Sequence, residues 1–431
     1  VRRAKRQRDE PGDDVPAVGL VLAGGGARGA YEAGVLSVLQ PALEAEGARP
    51  SVVVGTSVGA INAAHVAAAA HLPAAEGVQR ALDAWSGINK GDVIKPILSR
   101  QAPLTFVRYA GEILSLPGVR LPSLLDPGPL DRNLERWIDW PALHANVAGG
   151  PIRSVAVVAT GTATGRTVAF VESKRDEGSD PTHSVDYSPA QLTPDHIRAS
   201  AAIPILFPPV QLEDDRGRSG WYVDGGTRLN APIKPALDLG AKRLVIIATG
   251  GSAPPGRAGD EDADGQPPDF GDGALHLLEG ALVDPLVEDL HRLGEINTFL
   301  KEGGARPMRR FRSARGQRPY DRVPYLFVAP ERPHAIGELA RAVFEERYSG
   351  VRGLRSPDMR FLNRLIGGDS PSHGELLSYL LFDAEFMHEL IAMGQADARR
   401  CLAGGNGAVP WRYQPPREPA TDPGSSAAGT R

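Results

Sequence analysis

The stretch from Val52 to Ala60 restricts this chain to few folds. Val52, Val53 and Val54 are β-branched and suit a buried strand, Gly55-Thr56-Ser57-Val58-Gly59 follows, and the alanine-rich residues 60–70 suit a helix. A strand that runs through Gly-x-Ser-x-Gly straight into a helix is a nucleophile elbow. Its serine stands clear of the backbone on a turn so tight that the positions two before and two after it tolerate almost no side chain. Gly55 and Gly59 meet that demand, and the helix behind Ser57 directs free N–H groups and a partial positive charge at the turn. The same five residues also describe an ordinary strand-to-helix turn with a capping serine, so two other stretches have to decide between the readings.

The first lies upstream. Residues 16–23 form an apolar run with a buried-strand pattern, Gly24-Gly25-Gly26-Ala27-Arg28-Gly29 follows, and Ala30 to Leu39 take up helical spacing. Gly24, Gly26 and Gly29 match Gly-x-Gly-x-x-Gly, which makes a dinucleotide-binding oxidoreductase a rival, with Glu44 and Glu46 near the offset of a ribose-binding acid. Against it, the second strand delivers Gly-Thr-Ser and no carboxylate at its tip. Paired with Ser57, the loop has another use. Acyl transfer builds an oxyanion, and consecutive glycines let backbone N–H groups approach it where a Cβ would collide; each such donor contributes about 2.7–4 kcal/mol to the transition state. The N–H groups of Gly25, Gly26 and Ala27 are the candidate donors. Arg28 either serves the site, by steadying the loop or attracting an anionic head group, or only holds a structural ion pair.

The second stretch runs from Arg198 to Gly226. A helix end breaks at Pro204, Phe207-Pro208-Pro209-Val210 forms an extended rim, and Trp221-Tyr222-Val223 makes a strand that stops at Asp224-Gly225-Gly226. A carboxylate at a strand end, with Gly225 and Gly226 leaving space beside it, suits a base that takes a proton from a serine on a neighbouring strand end. An isolated Asp-Gly turn is the alternative.

In this order the three motifs, together with the Ala-Ser-x-Ala-x-Pro-x-x-Phe-Pro-Pro-Val block from Ala199 to Val210, resemble the patatin-like phospholipase family in its bacterial branch. The resemblance covers roughly residues 15–250. It implies a three-layer α/β/α sandwich with a mostly parallel central sheet and a Ser-Asp dyad that uses no histidine. By the same resemblance Ser57 is the nucleophile, Asp224 the base, and Gly24, Gly25, Gly26, Ala27, Arg28 and Gly29 the oxyanion loop.

A Ser-His-Asp triad competes, because five of the ten histidines follow Asp224. The elbow sits too early for an α/β-hydrolase, with only one recognisable strand before Val52. His65 lies eight residues beyond Ser57, about 12 Å along the helix at about 1.5 Å per residue, and cannot reach it. All ten histidines are expected to be packed or solvated.

The chain has 431 residues, 42% hydrophobic and 23% charged, with a net charge of -4, so nothing in its overall charge calls for nucleic acid. Its one cysteine, Cys401, excludes an intramolecular disulfide and suits a reducing compartment. No stretch reaches transmembrane length. These features predict a cytoplasmic protein or one resting peripherally on the inner membrane surface. No metal-ligand cluster stands out, so neither metal nor cofactor is expected.

The predicted organisation is a disordered basic arm over 1–14, a catalytic domain over 15–334 with flexible insertions at 251–273 and 303–322, a helical C-terminal extension over 335–405 and a disordered tail over 406–431. Leu104, Phe106 and Val107 are expected in the core or lining a pocket, and Leu286, Leu290, Leu293 and Ile296 on a core-facing helix. The basic loop Arg306, Arg309, Arg310, Arg312, Arg315, Arg318 and Arg322, interleaved with Met308, Phe311 and Tyr320, suits either plain solvation or rest on anionic lipid. Ser372-His373-Gly374-Glu375 reads as a capping box that opens one helix through Leu376, Leu380, Ala384, Met387 and Ile391. The expected activity is hydrolysis of phospholipid or lysophospholipid carboxylic esters through an acyl-enzyme. An acyltransferase or general esterase using the same dyad, and a non-catalytic scaffold on the same fold, are the alternatives. Head group, acyl position and oligomeric state are not encoded in these motifs.

Overall fold

Buried on both faces, the strands of a central parallel sheet must be almost wholly apolar, and Val18–Leu22 and Val52–Val54 satisfy this. The computed structural model describes residues 16–93, 125–174, 185–204, 206–213, 217–250, 286–315, 320–332, 334–348, 371–405 and 408–414. The expected arm over 1–14, the insertion over 251–273 and the apolar residues Leu104, Phe106 and Val107 lie outside the described residues.

Among the described residues nine strands form one sheet: β1 (Val18–Leu22), β2 (Pro50–Thr56), β3 (Ser154–Gly161), β4 (Thr167–Ser173), β5 (Val185–Pro189), β6 (Val210–Glu213), β7 (Ser219–Asp224), β8 (Arg243–Ile247) and β9 (Tyr325–Val328). Their order is β5-β4-β3-β2-β1-β8-β9, with β7 also paired to β3 and β6 to β7. The central run from β3 to β9 is parallel throughout, and β3 meets β4 and β7 antiparallel. The expected strand pair over 154–172 is therefore present as a hairpin.

Because side chains alternate across a strand, each face of the sheet carries its own core. Leu20, Leu22, Val53, Val155 and Val157 face α1 (Gly29–Ala45), α2 (Val58–Ala68), α3 (Ala74–Ser86), α4 (Lys90–Val93), α5 (Gly128–Trp137), α6 (Trp140–Ala148) and α7 (Pro194–Ser200). Val21, Val52, Val54, Leu244 and Ile246 face α8 (Ile233–Asp238) and α9 (Leu286–Phe299). The result is the three-layer α/β/α sandwich with a mostly parallel sheet. Within α9, Leu290 and Leu293 are buried as their spacing requires.

The C-terminal region is helical, as its pattern demanded, in α11 (Ala335–Tyr348), α12 (Pro371–Leu380) and α13 (Ala384–Ala403). The single helix expected from residue 372 onward is broken in two. Asp383 takes an extended conformation, accepts the N–H of Glu385 and caps α13, and it also receives the Tyr348 hydroxyl at 2.6 Å. Packing of α13 on α1 is close. A Cβ on Gly34 would lie 2.2 Å from the Ile391 carbonyl oxygen, and one on Gly394 2.2 Å from that of Tyr31. The Tyr31 hydroxyl donates to Asp397 across the same contact at 2.9 Å.

Two further expectations change. The arginine-rich segment is not a loop over its whole length, since residues Ala305–Ser313 form a helix, α10. Part of the tail expected over 406–431 is placed: Arg412 and Tyr325 exchange backbone hydrogen bonds of 2.8 Å, which ties residues 408–414 to the edge of β9, and the rest of that stretch lies outside the described residues. Among the described residues, no helix is long and apolar enough to cross a membrane.

Candidate active site

Ser57 sits between the end of β2 and the start of α2 with φ 54° and ψ -124°, one of two non-glycine residues with positive φ among those described. Such a conformation is strained in an L-residue and persists only where the surroundings enforce it. Here they are glycines: a Cβ on Gly55 would fall 2.1 Å from the Gly59 carbonyl oxygen, and one on Gly59 2.4 Å from that of Leu22. Ser200, at the end of α7, straps the elbow to β3 by accepting the Ser57 N–H at 2.8 Å and donating to the Val158 carbonyl at 2.6 Å.

Register brings Asp224 to the same place. Thr56 pairs with Val158 on one side of β3, while Asp224 pairs with Ala159 on the other, so Ser57 and Asp224 flank the end of one strand. Both are buried, Ser57 at 4% and Asp224 at 1% exposure. Asp224 caps the short 3-10 turn Gly225–Thr227, and its Oδ1 accepts the Gly226 N–H at 2.7 Å. Burial pushes its carboxyl up to about 7, against the hydrogen-bonding influence of the Ser57 hydroxyl and the Gly226 N–H. Ser57 thus stands near enough to stabilise the anion, yet the buried Oδ2 has no partner of full hydrogen-bond geometry. The contact is an approach rather than an aligned bond.

The glycine loop lies against the elbow, with a Cβ built on Gly24 falling 3.2 Å from that of Ser57. Of its six residues, three have their N–H groups engaged. Gly24 donates to the Asn230 carbonyl and side chain at 3.2 and 3.0 Å, Arg28 to the Gly25 carbonyl at 3.1 Å, and Gly29 to Ala27 and Gly26. The N–H groups of Gly25, Gly26 and Ala27 have no acceptor among the described residues. Thr249, just past β8, donates to the Gly24 carbonyl at 2.7 Å.

Arg28 is 1% exposed and turned away from solvent. It forms an ion pair with Glu375 of α12 and lies 4.3 Å from the ring centroid of Tyr379. Of the two roles open to it from sequence, this is the ion pair.

Behind the loop a second buried carboxylate joins three helices. Glu32 of α1 accepts from Asn62 of α2 at 2.8 Å, Asn62 also donates to the Gly29 carbonyl at 3.0 Å, and the Trp85 indole of α3 donates to Asn62 at 2.8 Å. Burial pushes Glu32 up to about 8, so it is mostly protonated at neutral pH.

Several sequence candidates lie elsewhere. Glu44 and Glu46 sit at the far end of α1, where Glu44 binds Arg49 and the Ala74 N–H and Glu46 binds the Val409 N–H, so neither accompanies the glycine loop. Helix α10 is also at the far end of the sheet. Arg312 stacks on Tyr320, and the adjacent Asp321 pairs with Lys242 just before β8, whereas Thr249 beside the loop lies just after it. The strand between Lys242 and Thr249 spans roughly 20 Å at about 3.3 Å per residue, which sets Asp321 and its neighbour Tyr320 at the end of β8 opposite the glycine loop. Among the described residues no histidine is hydrogen-bonded to Ser57 or Asp224. His65 is buried in α2, and burial lowers its pKa to about 4.

A cleft of about 980 Å³ opens along β9, lined by Lys301, Phe327, Asp397, Arg400 and Cys401 among others, and contains neither Ser57 nor Asp224. Burial raises the pKa of the Cys401 thiol, which disfavours its thiolate. Ser200, Asn230, Thr249 and Glu375 escaped sequence reasoning as supports of the site. Ser200 entered only as part of the Ala199–Val210 block and the others had no motif; the loop and elbow contacts that give them this role span 143 to 347 residues.

Fold and site together define an α/β sandwich with a strained serine on a strand-to-helix elbow, beside a buried aspartate and a glycine loop. The model of the patatin-like phospholipase family matches residues 20–237, and the chain belongs to that family, whose members are lipid acyl hydrolases. No curated protein sequence is significantly similar to it. Among solved structures it resembles VipD from Legionella pneumophila, at 14% identity and a TM-score of 0.30, over 88% of this chain and 67% of that one. It also resembles ExoU in its complex with SpcU from Pseudomonas aeruginosa, at 17% identity and a TM-score of 0.23, over 91% of this chain and 79% of that one. Overlaps this loose say nothing about chemistry.

Proposed function

We propose that this protein hydrolyses carboxylic esters of phospholipids or lysophospholipids through a Ser57-Asp224 dyad. The observation that carries the reading is the burial of Asp224, with an unpartnered Oδ2, beside a serine held at positive φ. Asp224 accepts the Ser57 proton as Oγ attacks the ester carbonyl, and the N–H groups of Gly25, Gly26 and Ala27 hold the oxyanion. The alcohol leaves with a proton returned from Asp224. Water then attacks the acyl-enzyme, giving its proton to Asp224, which passes it to the departing Ser57 Oγ as the fatty acid is released. Burial suits Asp224 to this exchange, because a carboxyl near neutrality both takes and returns a proton readily.

Labelling with a fluorophosphonate probe, followed by fatty acid release from mixed phospholipids and lysophospholipids, tests the assignment. Labelling lost in Ser57→Ala, with release abolished in Ser57→Ala and Asp224→Asn alike, is the expected result. Full esterase activity in Ser57→Ala would overturn it. Contact of Arg306, Arg309, Arg310, Arg312 and Arg315 with anionic lipid is part of the same proposal, and vesicle binding tests it separately from hydrolysis.

A further inference from the structure

The glycine loop is built from residues that hold themselves in place poorly, so its position has to be imposed from outside. Its middle has the least intrinsic preference: Gly26 has φ 56°, and a Cβ there would lie 2.4 Å from the Tyr379 carbonyl oxygen. The backbone of α12 therefore rests directly on the segment that carries the three unengaged N–H groups. Next to it Arg28 is held almost entirely by the same helix. Its Nε donates to the Ser378 hydroxyl at 2.7 Å, and its Nη2 to the Glu375 carbonyl at 2.9 Å and to the Glu375 carboxylate. Nη1 reaches the Thr249 carbonyl at 3.3 Å, and the guanidinium faces the Tyr379 ring. Ser378 is itself fixed by donating to the Glu375 carbonyl at 2.5 Å. On its other side Glu375 meets His334, ahead of α11, at 3.3 Å. Burial would raise the Glu375 carboxyl, but the charge and hydrogen bond of Arg28, joined by His334, hold it below the ordinary value.

We propose that Glu375 is a positioning residue for catalysis: through Arg28 it sets the glycine loop at the distance from Ser57 at which the N–H groups of Gly25, Gly26 and Ala27 meet the oxyanion. The proposal rests on the reading of that loop as an oxyanion hole. A planar guanidinium held at several points fixes orientation as well as distance, which a single point contact does not. Helix α12 is then part of the catalytic apparatus, although it contributes no reacting atom.

Two arms test this in the full-length protein, both run on wild type, Glu375→Gln, Glu375→Asp and Leu390→Ala. Leu390 is fully buried on α13 and serves as a destabilised control with an intact Arg28 clamp. In the kinetic arm, Glu375→Gln is expected to lower kcat for ester hydrolysis by about tenfold to a hundredfold with KM within about twofold. That lies at or below the loss from outright removal of one donor. Glu375→Asp, which keeps the charge one carbon shorter, restores part of it, and Leu390→Ala lowers the melting temperature while leaving kcat unchanged below it. In the second arm, hydrogen exchange is read at the bonded amides of Gly24, Arg28 and Gly29. Exchange there is expected to accelerate in Glu375→Gln while β2 and α2 keep their protection. Unchanged kcat and unchanged loop exchange in Glu375→Gln would overturn the proposal, as would a kcat loss reproduced by Leu390→Ala at equal loss of stability. If wild type neither hydrolyses esters nor labels at Ser57, the hydrolase reading falls and the exchange arm alone decides. Unaltered loop exchange then refutes the clamp, and faster exchange leaves it standing.

Discussion

At the scale of single residues, the site stores unfavourable free energy in a buried acid. The Asp224 carboxyl moves from an ordinary 3.8 to about 7, which at about 1.4 kcal/mol per pH unit opposes folding by about 4 kcal/mol. The sign follows from proton binding. Between pH 3.8 and about 7 the folded state binds the proton and the unfolded state releases it, so stability falls as pH rises through that window and is level above it. Asp224→Asn should therefore melt at a higher temperature than wild type at pH 8, with the difference vanishing below about pH 4. A scan of melting temperature against pH checks both halves. The same group sets the activity profile: kcat/KM should fall on the acid side of about pH 7, where Asp224 no longer accepts a proton. Ser57 adds strain of its own kind, since only the steric demands of Gly55 and Gly59 make positive φ tolerable there.

At the scale of elements, the decisive contact is α1 against α13. Gly34 and Gly394 let the two backbones approach until each faces the other's carbonyl, and Tyr31 and Asp397 add a buried hydrogen bond. Gly394→Ala places a methyl group 2.2 Å from the Tyr31 carbonyl oxygen, a backbone atom that cannot swing aside. Overpacking of this kind costs about 1–3 kcal/mol. Denaturant unfolding should show that loss, whereas Gly47→Ala, in open space and at φ 64°, should lose only what its backbone strain imposes.

At the scale of the whole molecule, the sheet separates two ends with different chemistry. Ser57, Asp224 and the glycine loop gather where β1, β2, β7 and β8 finish, and the arginines of α10 gather where β8 and β9 begin. Exposed Phe311, at 54%, stacks beneath Arg315, so this end presents a cationic, partly apolar surface. If its charge serves only solvation, replacing Arg306, Arg309, Arg310, Arg312 and Arg315 by glutamine leaves hydrolysis of dispersed short-chain esters unchanged and binding to anionic vesicles unchanged. A loss of vesicle binding with retained ester hydrolysis would instead mark α10 as a membrane contact independent of the active end, each arginine contributing about 1 kcal/mol near an anionic surface.

What the sequence determined by itself is what short-range sterics and patterning can encode. Two glycines spaced around Ser57 specify a turn that nothing bulkier permits, valine runs specify strands buried on both faces, and Asp224 before two glycines specifies a carboxylate at an open strand end. The α/β/α layering follows from those patterns. What only the tertiary structure decided are matters of long-range register. It set which N–H groups of the loop are consumed and which remain, through Asn230 and Thr249. It broke the last expected helix at Asp383 by offering that residue Tyr348 and the Glu385 N–H together. It gave the ion pair of Arg28 its partner, Glu375. A residue's neighbours along the chain fix its own conformation, but a partner 347 positions away is fixed only by the order in which the strands pack.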